Sequence, residues 1–213
     1  MNSTPRRGFT IVELLIVIVV IGILAVIAIV AYNGIQVRAR NSQVASAIQS
    51  YKKAFTQYAI EHQAYPTTTS ACLGTDYPDT GAYTVANGRS CFRSNSVAGI
   101  INTSFNNEIK PYLSNTTPTP NNIIIGDGSG SYPWTTRGAV FLGSSAVILN
   151  GTANPWVIVY TLEGQTPCPV GPILDLANYP NATVNPTTGY TLPQVGGKAG
   201  VECWLALPDP AKM

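Results

Sequence analysis

The chain has 213 residues, a formal net charge of +2 and only 10% charged residues, where about a quarter is usual for a soluble domain. That length allows one ordinary domain plus an anchor. The charge is uneven: residues 1–63 hold six Lys/Arg and two Asp/Glu, residues 64–213 hold six and eight, so the C-terminal part has no basic footprint for nucleic acid.

Residues 1–8 form a short leader that ends in Arg6-Arg7-Gly8. Phe9-Thr10-Ile11-Val12-Glu13 follows, and residues 14–31 are 18 residues of Leu, Ile, Val and Ala with a single Gly22. As a helix that run is about 27 Å long at ~1.5 Å per residue. With residues 9–12 it approaches the ~30 Å hydrocarbon core of a bilayer. Glu13 is the one acidic residue of this segment, and a carboxylate there implies a partner. The local candidate is an amine. A cut after Gly8 would give Phe9 a free α-amino group one helical turn before Glu13. An ordinary secretory signal cut near Ala31 would have too long an apolar run and no use for Glu13. A plain single span explains the length but not Gly-Phe-Thr-x-x-Glu.

Gly8-Phe9-Thr10-Ile11-Val12-Glu13-Leu14-Leu15 and the apolar helix after it resemble the N-terminus of a bacterial type IV prepilin, a family that includes the type II secretion pseudopilins. The resemblance covers residues 1–63 in pattern. It implies cleavage after Gly8 by a membrane-embedded prepilin peptidase, N-methylation of Phe9, and a role for Glu13 in registering an incoming subunit against the Phe9 amine of a neighbour. It also implies the pilin fold: α+β, with a long N-terminal helix, half in the membrane and half amphipathic, packed on an antiparallel β-sheet head.

In chain order the expected parts are the leader at 1–8, the helix at 9–63 with 9–31 in the membrane, and a globular head at 64–213. No proline interrupts residues 10–65. From Val44 the apolar residues Val44, Ile48, Tyr51, Phe55 and Tyr58 are spaced by four, three, four and three, the period of one helix face. Arg38, Arg40, Gln43, Ser46, Gln49, Lys52, Lys53 and Gln57 take other faces. The helix is therefore expected to run to about His62 and stop before Pro66, because the residue before proline avoids the helical region. The stripe of Tyr51, Phe55, Tyr58, His62 and Tyr65 reads as the face on which the head packs, with His62 partly buried in it.

Residues 67–122 read as loop-rich, with a short helix over 104–113 ended by Pro111. Strands are expected at 123–125, over 139–149 with a break at Gly143-Ser144-Ser145, at 156–162 and at 201–207. The segment 150–155 is a hairpin-like turn. Residues 165–200 form a Pro-, Gly-, Asn- and Thr-rich excursion between the last two strands. Cys72, Cys91, Cys168 and Cys203 all follow the apolar segment, and an even count in an exported head reads as two disulfides. Of three possible connectivities, Cys72–Cys91 and Cys168–Cys203 each bracket one segment. The second resembles the disulfide-bounded C-terminal region of pilins.

Signatures of enzymes are missing. No G-x-S-x-G or H-E-x-x-H occurs, and His62 is the only histidine, which leaves a Ser-His-Asp site improbable. Gly126-Asp127-Gly128-Ser129-Gly130 lacks the Lys and Ser/Thr of a phosphate loop. Neither cofactor nor metal is expected, and Asp127, Asp175 and Asp209 have no calcium-loop spacing. N-x-[ST] patterns begin at Asn102, Asn115, Asn150 and Asn181. The expectation is a non-enzymatic filament subunit whose partners are copies of itself, the peptidase, the assembly machinery and membrane lipid. It would sit in the membrane with its N-terminus cytoplasmic before joining an extracellular filament. Gly22, Ala25 and Ala28 would let helices approach closely there. A minor pilin or pseudopilin of a secretion or DNA-uptake machine is the alternative, or a membrane-tethered adhesin.

Overall fold

The structure, a computed structural model, describes residues 10–68, 70–77, 91–93, 98–114, 117–120, 135–143, 148–149, 152–153, 156–164, 166–171, 184–185, 189–195 and 198–213. The chain forms two compact units, Met1–Ala39 and Arg40–Met213.

Helix α1 spans Ile11–His62, 52 residues. Its first part is rich in β-branched Ile and Val, which are mediocre helix formers in water. In hydrocarbon the choice is different: a backbone without water must bond internally, and a helix does so within one segment. The helix ends where Gln63 takes a left-handed φ of 54°, a conformation that commonly closes a helix. Within the first unit the large apolar side chains, among them Ile11, Leu14, Ile18, Ile23 and Ile27, are exposed.

In the second unit the helical period becomes a core. Val44, Ala47, Ile48, Tyr51, Ala54, Phe55, Tyr58 and Ala59 are buried, and so is Tyr65 beyond the helix end. They pack with Phe141, Ile158, Tyr160, Leu162, Val201, Cys203 and Leu205, alternate residues of three strands. Those strands are β5 (Ala139–Gly143), β8 (Trp156–Glu163) and β11 (Lys198–Ala206). They lie at the centre of a six-stranded sheet that also takes in β1 (Ser70–Cys72), β9 (Val184–Asn185) and β10 (Gly189–Val195), in the order β1-β5-β8-β11-β10-β9, antiparallel throughout. The β8–β11 register runs from Gly200 opposite Glu163 to Ala206 opposite Val157. Because side chains alternate along a strand, Val140, Leu142, Val157, Val159 and Trp204 point to the other face. There they form a second buried cluster with Cys72, Tyr77 and Cys91. A sheet buried on both faces explains why 156–162 is almost continuously apolar.

The expected short helix is α2 (Thr103–Ile109), and Pro111 does not end it in a loop. Proline lacks the N–H that a first helical turn leaves unpaired anyway, and here it lies in the first turn of a 3-10 segment, Lys110–Leu113. The region read as loop also contains β1 (Ser70–Cys72), which edges the main sheet, and β2 (Phe92–Arg93) and β3 (Ala98–Gly99), which form a small sheet with β4 (Thr135–Thr136) beyond it. The expected break after Gly143 is followed by a minimal hairpin, β6 (Ile148–Leu149) with β7 (Thr152–Ala153). The Pro/Gly-rich excursion is not all loop either: β9 (Val184–Asn185) and β10 (Gly189–Val195) extend the main sheet from it. The strand expected at 123–125 and the Gly-rich run at 126–130 lie outside the described residues.

Candidate processing and assembly segment

Gly8 and Phe9, like Arg6 and Arg7, lie outside the described residues. The site is therefore built from Thr10 onward. The Thr10 backbone N–H donates to Glu13 Oε2 at 2.8 Å and the Thr10 hydroxyl donates to the same oxygen at 2.8 Å. The Glu13 N–H returns a bond to Thr10 Oγ1 at 3.2 Å. Thr10 is the residue before α1 and Glu13 the third within it, so this is a capping box, in which two otherwise unpaired N–H groups are satisfied reciprocally. Glu13 thus has a partner within its own helix, Thr10, while Phe9, whose amine the sequence offers as a partner once the chain is cut, lies outside the described residues. The signal was present as Thr-x-x-Glu ahead of an apolar run.

Beyond the cap, Gly22 has no other part of the chain within 4 Å of where a Cβ would stand. The helix is long and apolar enough to cross a membrane.

The cysteines are joined as Cys72–Cys91 and Cys168–Cys203, closing separations of 19 and 35 residues. Cys72, Cys91 and Cys203 are buried. The segment carrying Cys168 is held a second way: the Tyr160 hydroxyl donates to the Val170 carbonyl and accepts from the Val170 N–H.

The stripe on α1 is a packing face with polar tips. The hydroxyls of Tyr51, Tyr58 and Tyr65 donate respectively to the Pro118 carbonyl, to Glu108 Oε1 and to the Pro208 carbonyl. Burial and the Glu108 carboxylate push the Tyr58 hydroxyl up to about 12. His62 is exposed rather than partly buried. It stacks on Tyr58 with ring centroids 4.2 Å apart, and its Nε2 lies 3.2 Å from the Tyr112 hydroxyl, which donates to Glu61. At the end of the stripe nearest Arg40, Asn41 holds both backbone groups of Glu163, and Arg40 pairs with the Glu163 carboxylate at 2.8 Å. No sequence signal marks Asn41, since its partner is 122 residues away.

Glu202 was also missed. It lies in β11 on the face opposite α1, 4% exposed. Its Oε1 accepts from Trp204 Nε1 at 2.8 Å, while Oε2 has no hydrogen-bond partner among the described residues. Burial pushes its carboxyl up to about 7, partly opposed by the Trp204 bond. Among the described residues no cluster of three His, Cys, Asp or Glu side chains is placed to hold a metal. Asn102, one of the N-x-[ST] positions, uses its side chain to cap α2 through the Phe105 N–H. Asn115, Asn150 and Asn181 lie outside the described residues.

A long capped helix and a disulfide-stapled antiparallel sheet make this an α+β chain. Residues 4–29 match the family described as the prokaryotic N-terminal methylation motif. A fimbrial protein of Neisseria meningitidis serogroup B is 36% identical over 111 residues, 51% of this chain and 63% of the relative's length. No solved structure matches. Residues 4–29 thus carry the prokaryotic N-terminal methylation motif, and about half of the chain is similar to a fimbrial protein of which it spans less than two thirds.

Proposed function

We propose that the chain is a structural subunit of an extracellular type IV pilus-like filament, made as a prepilin, cleaved after Gly8 and N-methylated on Phe9. The observation that carries this is a coincidence in sequence: the methylation motif at 4–29 falls on an apolar helix whose start is fixed by the Thr10–Glu13 cap. The domain plan follows, with a leader at 1–8, a helix at 9–63 and a head at 64–213. Before assembly the helix spans the membrane with its N-terminus cytoplasmic, and two disulfides suit a head in an oxidising space. In the filament, copies associate through their apolar helices, and each Glu13 meets the Phe9 amine of a neighbour. The relative's name, fimbrial protein, supports the same role.

N-terminal sequencing and intact mass of the protein in sheared surface filaments test this. The expected result is a chain beginning at N-methylated Phe9 that dominates the sheared fraction. A start at Met1 or near Tyr32 would overturn the processing. A correctly processed chain present only in traces would favour the minor pilin or pseudopilin.

A further inference from the structure

Across the outward face of α1, between Ser50 and Glu61, the helix is not a plain solvated surface. It forms one wall of an open groove of about 740 Å³, whose other wall is Pro111, Tyr112, Leu113 and Pro118. Ile60 lies in it, 62% exposed. From Arg40 onward the other exposed large apolar side chains among the described residues are Ile100 and Met213, and Ile60 is the one of these three that lines this groove. The rim carries opposite charges, Lys53 and Glu61, about 12 Å apart along the helix at ~1.5 Å per residue. Glu61 is oriented by the Tyr112 hydroxyl on its Oε2 at 2.7 Å.

A second surface, at the C-terminal turn, also combines an exposed large apolar side chain with both signs of charge. The 3-10 turn Pro210–Lys212 is capped by Asp209 and followed by Met213, which is 45% exposed. Asp209 and Lys212 form an exposed pair at 3.6 Å. Such a surface pair contributes about 0–1 kcal/mol, so exchanging it for partners across an interface costs little.

We infer that the groove receives the 209–213 turn of a second copy of this chain. Met213 would cover Ile60 and Tyr112, Lys212 would meet Glu61, and Asp209 would meet Lys53. Groove and turn are different patches of one subunit, so the contact is heterologous. Repeated without closure, it propagates into an open helical array. The inference rests on the filament reading and adds to it a defined contact between heads.

The test begins with the unsubstituted chain: its absence from sheared filaments overturns the filament reading and the docking with it. With filaments in hand, a photo-crosslinking phenylalanine analogue is placed at position 60 and assembled filaments are irradiated. Dimers whose crosslinked peptide contains residues 209–213 are expected. Dimers joined through another segment, crosslinks to a different protein, or no crosslink in filaments that form normally would overturn the docking but leave the filament standing. If position 60 does not tolerate the analogue, charge reversal decides. Lys53→Glu should lower filament yield several-fold while processing and disulfides stay intact, and adding Asp209→Lys should restore it. Wild-type yield from Lys53→Glu alone, or no recovery in the double variant, counts against the contact.

Discussion

Asn41 Nδ2 donates to the Glu163 carbonyl at 2.8 Å while Asn41 Oδ1 accepts from the Glu163 N–H at 2.9 Å. One side-chain amide on α1 thus completes the backbone bonding of the last residue of β8, as a neighbouring strand would. Asn41→Ala removes both bonds at a buried position and leaves the Glu163 carbonyl with the longer bond from Thr166 Oγ1 at 3.4 Å. Each such loss costs about 1–3 kcal/mol, and for a chain this size each kcal/mol is worth roughly 2–4 °C. Circular-dichroism melting of the detergent-solubilised full chain should show a drop of several degrees. Asn41→Asp should be worse, since it removes the donor and sets a second carboxylate beside Glu163. A melting temperature within one degree of wild type for Asn41→Ala would mean that water takes over the role.

Glu202 gives the head a pH dependence whose sign can be stated. In the unfolded chain its carboxyl ionises near 4.5; in the fold burial holds it neutral to about 7. Between these values the unfolded state has already released a proton that the folded state keeps. The stabilising contribution is therefore complete below about 4.5, declines as pH rises, and is gone above about 7. Its size is on the order of a few kcal/mol. Glu202→Gln keeps the acceptor for Trp204 and cannot ionise. The variant should melt near wild type at pH 4 and progressively above it towards pH 8. Parallel pH profiles for the two proteins would show that Glu202 does not titrate in this window.

The legible part of the fold was the part written in local periodicity. Tyr51, Phe55 and Tyr58 gave the core face of α1 because a helix repeats its contacts every three or four residues. The apolar run at 156–162 gave β8. The misses share a cause. Residues 189–195, Gly-Tyr-Thr-Leu-Pro-Gln-Val, contain Gly and Pro, which propensity assigns to loops, yet they pair with β11 because the neighbouring strand supplies an edge. Gln63 enters a left-handed conformation usually left to Gly or Asn. Asn41 and Glu163 are a pair only once the chain has folded. Thr10 is different, because Thr-x-x-Glu ahead of an apolar run is a cap signature legible in the sequence itself.

The two disulfides should not be equivalent. Cys168–Cys203 closes the longer separation, 35 residues against 19, and on the loop-entropy model each contributes about 3–4 kcal/mol. Cys168→Ser with Cys203→Ser also leaves Tyr160 as a remaining described hold on the Val170 segment. That variant should gain protease cleavage within 165–200 while α1 stays protected. Cys72→Ser with Cys91→Ser should instead loosen the face of the sheet opposite α1, where both half-cystines are buried with Tyr77 and Trp204. Limited proteolysis followed by peptide mapping distinguishes the two. Equal cleavage patterns would mean that the head unfolds as one unit whichever bridge is lost.

Glu13 has two roles to separate, and the cap shows how. The local role needs an acceptor at the third helical position and is met by Glu or Gln alike. The proposed role between subunits needs a negative charge, because in low dielectric an unpaired carboxylate neutralises unless a cation holds it ionised. Glu13→Gln therefore keeps the bonds from the Thr10 N–H and hydroxyl and removes only the charge. Thr10→Val does the converse: it deletes the hydroxyl that binds Oε2 and accepts from the Glu13 N–H, and leaves the carboxylate. Losing a cap costs about 1 kcal/mol, too little to unseat a helix with so long an apolar run. Expressed as the only copy, Glu13→Gln should be inserted, cleaved and folded like wild type, yet give at least tenfold less protein in sheared filaments. Thr10→Val should lower filament yield by no more than about twofold. The readouts are processed protein in membranes and protein in filaments, measured separately. If Thr10→Val is as defective as Glu13→Gln, the cap itself is what assembly requires. If Glu13→Gln accumulates uncleaved, the carboxylate belongs to recognition by the peptidase.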